Sequence, residues 1–251
     1  MTKTLPKVSG APTWIAFAVA LLTPGSLSAQ PVGSGADSAP GLGPVRWDLG
    51  LSLIGAQPVG EFADYVNLGS GFSLFGVFRL RDDGSLRLRL DLELISYGST
   101  TVETLLSPTV PFVDVAVTTE NAIGSLALGP ELMLGDGSFR PYLQTSVGSS
   151  QFVTTTSVWS SGSTFPFAST ENFEDYTYVL TGGGGLRIVV SGERPHPFAL
   201  DLGGRYVRHG LTTYLREGGV RQGPGGEVLI EPIRSKTNLM TFHLGVTVGF
   251  R

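Results

Sequence analysis

The chain reads as all-β: an eight-stranded antiparallel up-and-down transmembrane β-barrel with four long loops on one side and three short turns on the other. Three observations predict it. Residues 86–94 alternate five leucines with Arg87, Arg89, Asp91 and Glu93. Side chains of a strand point to opposite faces with a period of two, so this stretch has one apolar and one charged face, whereas a helix would scatter the leucines. The connections between strand-like segments then alternate strictly between short and long. Finally, the last strand carries Phe242, Leu244, Val246, Val248 and Phe250 on one face and His243, Gly245, Thr247 and Gly249 on the other. The alternation at 86–94 alone also fits a soluble sheet with its leucines inward; the loop rhythm and the exported N-terminus decide for the barrel, where leucines face lipid and charges face the lumen.

Strands are predicted at 46–55, 70–80, 86–97, 119–134, 140–153, 175–190, 197–213 and 238–250, joined by connections of 14, 5, 21, 5, 21, 6 and 24 residues. The short connections hold turn chemistry: Asp82-Asp83-Gly84-Ser85, Gly135-Asp136-Gly137-Ser138 and Gly192-Glu193-Arg194-Pro195. Eight up-and-down strands put every long connection at one end and every short one at the other. Several strands reach the roughly 9–11 residues that cross a bilayer at a tilt, longer than is usual for a Greek-key sandwich.

Composition narrows the function classes. Charged residues make up 15% of the chain, and 41% of the residues are apolar without a run long enough for a membrane helix beyond the N-terminus. The absence of cysteine excludes disulfides, thiolate metal sites and a lipid-attachment thiol. A net charge of −4 offers no footprint for nucleic acid, and no nucleic-acid partner is expected.

Residues 1–29 have the layout of a secretory signal peptide: Lys3 and Lys7, an apolar stretch over 14–22, and small residues at 23–29 before an expected cut after Ala29. Without Lys3 and Lys7 the mature chain carries 15 basic and 21 acidic residues, a net charge of −6. Residues 30–45 are a flexible Pro/Gly/Ser-rich spacer, and 46–251 form the barrel domain.

With the leucine face of 86–94 outward, Phe72, Leu74, Leu126, Leu128, Leu180 and Leu200 also point out. The inward face carries Arg79, Arg87, Arg89, Arg187 and Arg205 against Asp48, Asp91, Glu93, Glu131 and Asp201, together with His243 and glycines 129, 183, 185, 203 and 245. Eight strands leave room only for side chains, and buried charges must be paired. The expectation is a packed, polar, charge-balanced lumen without a water-filled pore. Aromatic residues near the strand ends are expected to form interfacial belts. Trp47, Phe78, Phe139, Tyr142, Phe198 and Phe250 would lie at the short-turn end, and Phe62, Tyr65, Tyr97, Trp159, Tyr178, Tyr206 and Tyr214 at the loop end.

The C-terminal strand resembles the assembly signature of bacterial outer-membrane barrels, polar-x-Gly-x-x-apolar-x-aromatic, at His243, Gly245, Val248 and Phe250, with Arg251 following the aromatic residue. Pro58-Val59-Gly60-Glu61-Phe62, Val66 and Gly69-Ser70-Gly71-Phe72 are similar to the first strand and loop of small porin-like and OmpA/OmpX-type eight-stranded barrels. The resemblance covers 46–251. It implies a bacterial outer-membrane location, outer-membrane lipid as a partner, and the barrel-assembly machinery engaging the C-terminal strand. The extracellular partner of the loops is left open.

Catalytic chemistry is sparse. The run 182–185 (Gly-Gly-Gly-Gly) precedes a strand rather than the helix a phosphate loop needs. Asp82-Asp83-Gly84 lacks the remaining ligands of a calcium loop. His196 lies in a short turn, while His209 and His243 share the inward phase of the last two strands. No metal, cofactor or catalytic residue is assigned. The expected function is a non-catalytic barrel acting structurally or through its loops. Two alternatives are a small hydrolase or acyltransferase at the loop-side rim using these histidines, and a narrow barrel passing a small apolar compound.

Overall fold

A computed structural model describes residues 47–107, 110–160, 165–191, 197–222 and 228–250. The expected signal peptide, the spacer, the turn containing His196, and Arg251 lie outside the described residues. Eight strands close into an antiparallel barrel in the order β1-β10-β7-β6-β5-β4-β3-β2. They are β1 (Trp47–Pro58), β2 (Gly69–Arg79), β3 (Leu86–Ser107), β4 (Val110–Met133), β5 (Phe139–Ser160), β6 (Ala168–Ser191), β7 (Phe198–His209) and β10 (Leu239–Phe250). The chain ends meet: β1 pairs with β10 from Trp47↔Phe250 to Pro58↔Leu239. Closure leaves no strand edge at membrane depth, which a lipid environment requires.

The barrel is polar inside and apolar outside. Along β1, Asp48, Ser52, Ile54 and Ala56 are buried while Leu49, Leu51 and Leu53 are exposed. Along β3 the four charges of 87–93 are all buried, and the interleaved leucines lie on the outer wall, with Leu90 41% exposed. Phe72, Leu74, Leu126, Leu128, Phe242 and Leu244 continue that wall around the circumference. A ring of exposed large apolar side chains around buried arginines and carboxylates inverts the order of a water-soluble protein. It is the order of a transmembrane barrel.

The segments expected as long loops are largely paired. β3, β4, β5 and β6 run 22–24 residues, well beyond the roughly 9–11 a tilted crossing needs. β3 parts from β2 at Ser70↔Ser96 but stays with β4 to Ser107↔Val110. β6 pairs with β5 from Val158↔Ala168, whereas its pairing with β7 begins only at Val179↔His209. A four-stranded sheet therefore rises beyond the rim on one side. The connection between β7 and β10, expected as a loop, contains a separate hairpin of β8 (Leu211–Gln222) and β9 (Val228–Lys236). At the opposite end the turns are tight: in the β2–β3 turn Gly84 has φ of +70°, and Asp83 Oδ1 accepts from Ser85 N at 2.9 Å and Oγ at 2.7 Å.

Candidate functional site

The inward phase of the strands fills the barrel in two layers. Toward the short turns, β1, β2, β3, β4, β6 and β7 deliver the five arginines and five carboxylates, with His243 from β10. Registry makes the first contacts, since Arg87 lies opposite Glu131 on β3–β4 and Arg187 opposite Asp201 on β6–β7. The ion pairs then run across the lumen as one ladder. Arg205 bonds Glu93 and lies 3.3 Å from Asp91, and Asp91 accepts from Arg89 at 3.0 Å. Arg89 reaches Glu131 at 3.1 Å, and Glu131 lies 3.4 Å from Arg187 and 3.8 Å from Arg87. Arg187 donates to Asp201 at 3.1 Å. At the short-turn rim Asp48 takes Arg87 at 3.3 Å and Arg79 at 3.6 Å. The guanidinium of Arg89 also lies 3.7 Å over the ring of Phe75.

The lower layer includes a residue that strand phase assigns inward but the expectation placed in an aromatic belt. Tyr142 is buried and donates its hydroxyl to Asp201 at 2.7 Å, and His243 Nε2 lies 2.9 Å from that hydroxyl and 3.0 Å from Asp201. The cluster exists because two glycines clear space for it. A Cβ on Gly185 would sit 2.6 Å from Tyr142 Oη, and one on Gly203 would sit 2.8 Å from His243 Cε1.

Above the ladder the interior changes character, which corrects the expectation of a uniformly polar lumen. Phe62, Tyr97, Phe152 and Tyr214 form a cluster of edge-on and tilted rings with centroids 5.0–6.4 Å apart. Ile54, Ile95, Ile123, Val179, Val207 and Leu239 pack around them. Phe62 enters on the 3₁₀ turn Gly60–Asp64 and Tyr214 on β8, so the β1–β2 connection and the hairpin both fold back into the mouth. Phe62, Tyr97 and Tyr214 were expected in the loop-side belt, yet they face inward, because a narrow barrel end raised above lipid must be filled from within. Trp47, Phe78, Phe139, Tyr65, Tyr178 and Tyr206 do lie exposed on the outside. Hydrogen bonds hold the plug: Tyr97 Oη donates to Leu215 O at 3.3 Å, Tyr214 Oη pairs with Ser235 Oγ at 3.0 Å, and Glu61 accepts from Lys236 N at 3.1 Å. Asp175 of β6 takes Thr213 N at 2.7 Å and Thr212 Oγ1 at 3.0 Å. Burial pushes the Asp175 carboxyl up, but the donors from Thr213, Thr212 and Tyr176 outweigh it and hold it below the ordinary aspartate value.

Sequence reasoning named no nucleophile; the structure sets Ser150 Oγ 3.1 Å from His209 Nε2, with His209 Nδ1 2.6 Å from Thr237 O. A nucleophile–base pair has this outline. Both residues are almost fully buried, Ser150 Oγ also bonds Ser125 Oγ at 2.7 Å, and Phe152 packs edge-on to the imidazole at 5.3 Å. This packing leaves no approach for a substrate carbonyl. Among the described residues no cluster of His, Cys, Asp and Glu is arranged to hold a metal ion.

In the terminal strand, His243 and Gly245 face the lumen while Val248 and Phe250 face out, Phe250 lying 5.4 Å from the Trp47 ring across the β1–β10 seam. No protein-family model matches the chain, and no curated protein matches it. Among solved structures, Ail of Yersinia pestis bound to the heparin analogue sucrose octasulfate overlaps with a TM-score of 0.45 at 11% identity, over 82% of this chain and 99% of that one. Neisserial surface protein A overlaps with a TM-score of 0.40 at 14% identity, over 81% and 96%. By its own geometry, with a closed eight-stranded wall, an apolar exterior and a charge-paired interior, the chain is a small barrel of the outer-membrane type.

Proposed function

We propose that the chain is a non-catalytic outer-membrane β-barrel whose interior is a structural core and whose elevated sheet and β8–β9 hairpin serve interaction outside the cell. One observation carries this reading: beyond its short-turn mouth the lumen is filled among the described residues, by the ion-pair ladder below and the Phe62–Tyr97–Phe152–Tyr214 plug above. A filled lumen gives neither a water path nor room for a substrate, so function moves to the surfaces beyond the lipid. In this reading residues 1–29 are cleaved on export and 30–45 form a spacer. The barrel-assembly machinery engages β10 through His243, Gly245, Val248 and Phe250, and the ten-charge network with His243 stabilises the closed form.

The test is expression of the full chain in a diderm host. Protease added to intact cells should cut within 98–118 or 211–236 and spare the short turns, and purified barrel should give no steady conductance in planar bilayers. Steady conductance through the intact barrel would replace this reading with passage. The Ser150–His209 contact has the outline of one rival, a hydrolase at the loop-side rim, which requires this buried pair to open to substrate. Lipid or peptide hydrolysis that disappears on replacing Ser150, His209 or His243 with Ala would establish it.

A further inference from the structure

The lumen ladder balances five arginines with five carboxylates, but the short-turn mouth adds a sixth arginine that the ladder does not use. A cavity of about 150 Å³ opens there, lined among the described residues by Arg79, Arg87, Arg140 and Arg187, with Asp48 as the one carboxylate and Thr247 beside them. Arg140 Nε donates to Gly137 O at 2.7 Å, which orients the guanidinium, and Arg140 makes no ion pair among the described residues. Two polar atoms of the lining, Arg79 Nε and the hydroxyl of Thr247, have no hydrogen-bond partner among the described residues, while Arg187 Nη1 makes only ion contacts, 3.4 Å from Glu131 and 3.9 Å from Asp48. Thr247 is only 3% exposed, so bulk water does not readily satisfy its hydroxyl. Leaving such groups unmatched is costly, and a ligand offering acceptors would relieve it.

We propose that this mouth is a binding site for a tetrahedral phosphate-type oxyanion. Planar guanidinium forks converging on one cavity suit phosphate oxygens, which accept in pairs. The volume suffices for one such group with accompanying water, each water taking about 30 Å³. Asp48 disfavours a small anion approaching the wall on its side, while Arg79 and Arg140, the more accessible members, set the net positive charge at the entrance. The anion has two possible sources, free phosphate or the headgroup phosphate of a phospholipid in the facing leaflet.

The experiment uses the full barrel in phosphate-free maltoside micelles, titrated calorimetrically with inorganic phosphate in one arm and with dihexanoyl phosphatidic acid in the other. Saturable binding of both identifies a site for free phosphate; binding of the lipid alone identifies the headgroup. In either case Arg79→Gln and Arg140→Gln should each weaken binding by about tenfold, the equivalent of one charge-assisted hydrogen bond. Arg140→Lys, which keeps the charge but not the planar fork, should retain only part of it, and Arg81→Gln, a charge outside the cavity, should leave it unchanged. Both Gln variants alter residues at the accessible rim, and heat-modifiable gel migration verifies that they fold. Absence of saturable binding in both arms, or wild-type binding by the folded Arg79→Gln/Arg140→Gln double variant, overturns the proposal.

Discussion

Replacing Glu131 with Gln removes one negative charge and almost no volume, so it isolates the electrostatic role of the ladder. Glu131 is fully buried and lies within 3.1–3.8 Å of Arg89, Arg187 and Arg87. Arg89 keeps Asp91, Arg187 keeps Asp201 and Arg87 keeps Asp48, but the lumen would then hold five arginines against four carboxylates. Removing one member of a buried ion pair costs about 3–5 kcal/mol, because the remaining charge stays out of water. Equilibrium unfolding in urea from dodecylmaltoside micelles, followed by tryptophan fluorescence, should show that loss. Glu103→Gln, on the exposed part of β3, should change stability by less than about 0.5 kcal/mol. Adding Arg89→Met to Glu131→Gln should recover part of the loss as a favourable coupling. A Glu131→Gln barrel within about 1 kcal/mol of wild type, the range of a solvated surface pair, would refute the reasoning.

Further outcomes follow from the same packing. Phe62→Ala removes the ring on which Tyr97, Phe152 and Tyr214 converge and should destabilise the barrel by about 3–5 kcal/mol in the same unfolding assay; it should not open conductance, because the ladder below stays closed. Gly185→Ala forces a methyl against Tyr142 Oη and should cost about 1–3 kcal/mol, with the altered Tyr142 environment visible in near-ultraviolet circular dichroism. The clamp of β6 on β8 depends on ionised Asp175. Its folded-state value lies below the ordinary 3.8, so the stabilisation is fully present above that value and is lost as pH falls through the lower folded value. Protection of the Thr213 amide from hydrogen exchange should therefore persist from neutral pH down to 3.8 and fall below it, whereas Asp175→Asn should weaken it at every pH.

Period-two patterning made the membrane part of the fold legible. The odd-numbered residues from Arg87 to Glu93 specify the inner face of β3, and the same phase reaches Ile95 and Tyr97. Extending that phase four residues beyond Glu93 places Tyr97 inside rather than in a belt. Tyr142 likewise shares its phase with Gln144, Ser150 and Phe152. The extended hairpins were harder to read because water lies on both sides above the membrane, where no apolar face is required. The ladder Thr100↔Thr119 and Thr101↔Thr118 consists of residues that favour strands without alternating in polarity. Phe62 and Tyr214 carry no local signal at all, since they lie in segments that look like loops and are buried only by tertiary folding. The Ser150–His209 contact was similarly hidden, joining side chains 59 positions apart.

The central claim is that the leucine face meets lipid while the charged face is interior. Single-tryptophan barrels test it most directly, with Trp14, Trp47 and Trp159 replaced by Phe and one tryptophan introduced at Leu90, Leu126 or Phe75. In vesicles of lipid brominated on the acyl chains, fluorescence at positions 90 and 126 should be strongly quenched, while fluorescence at position 75, beneath Arg89, should be spared. Quenching at position 75 as strong as at 90 and 126, or no quenching at any of the three, would contradict the account.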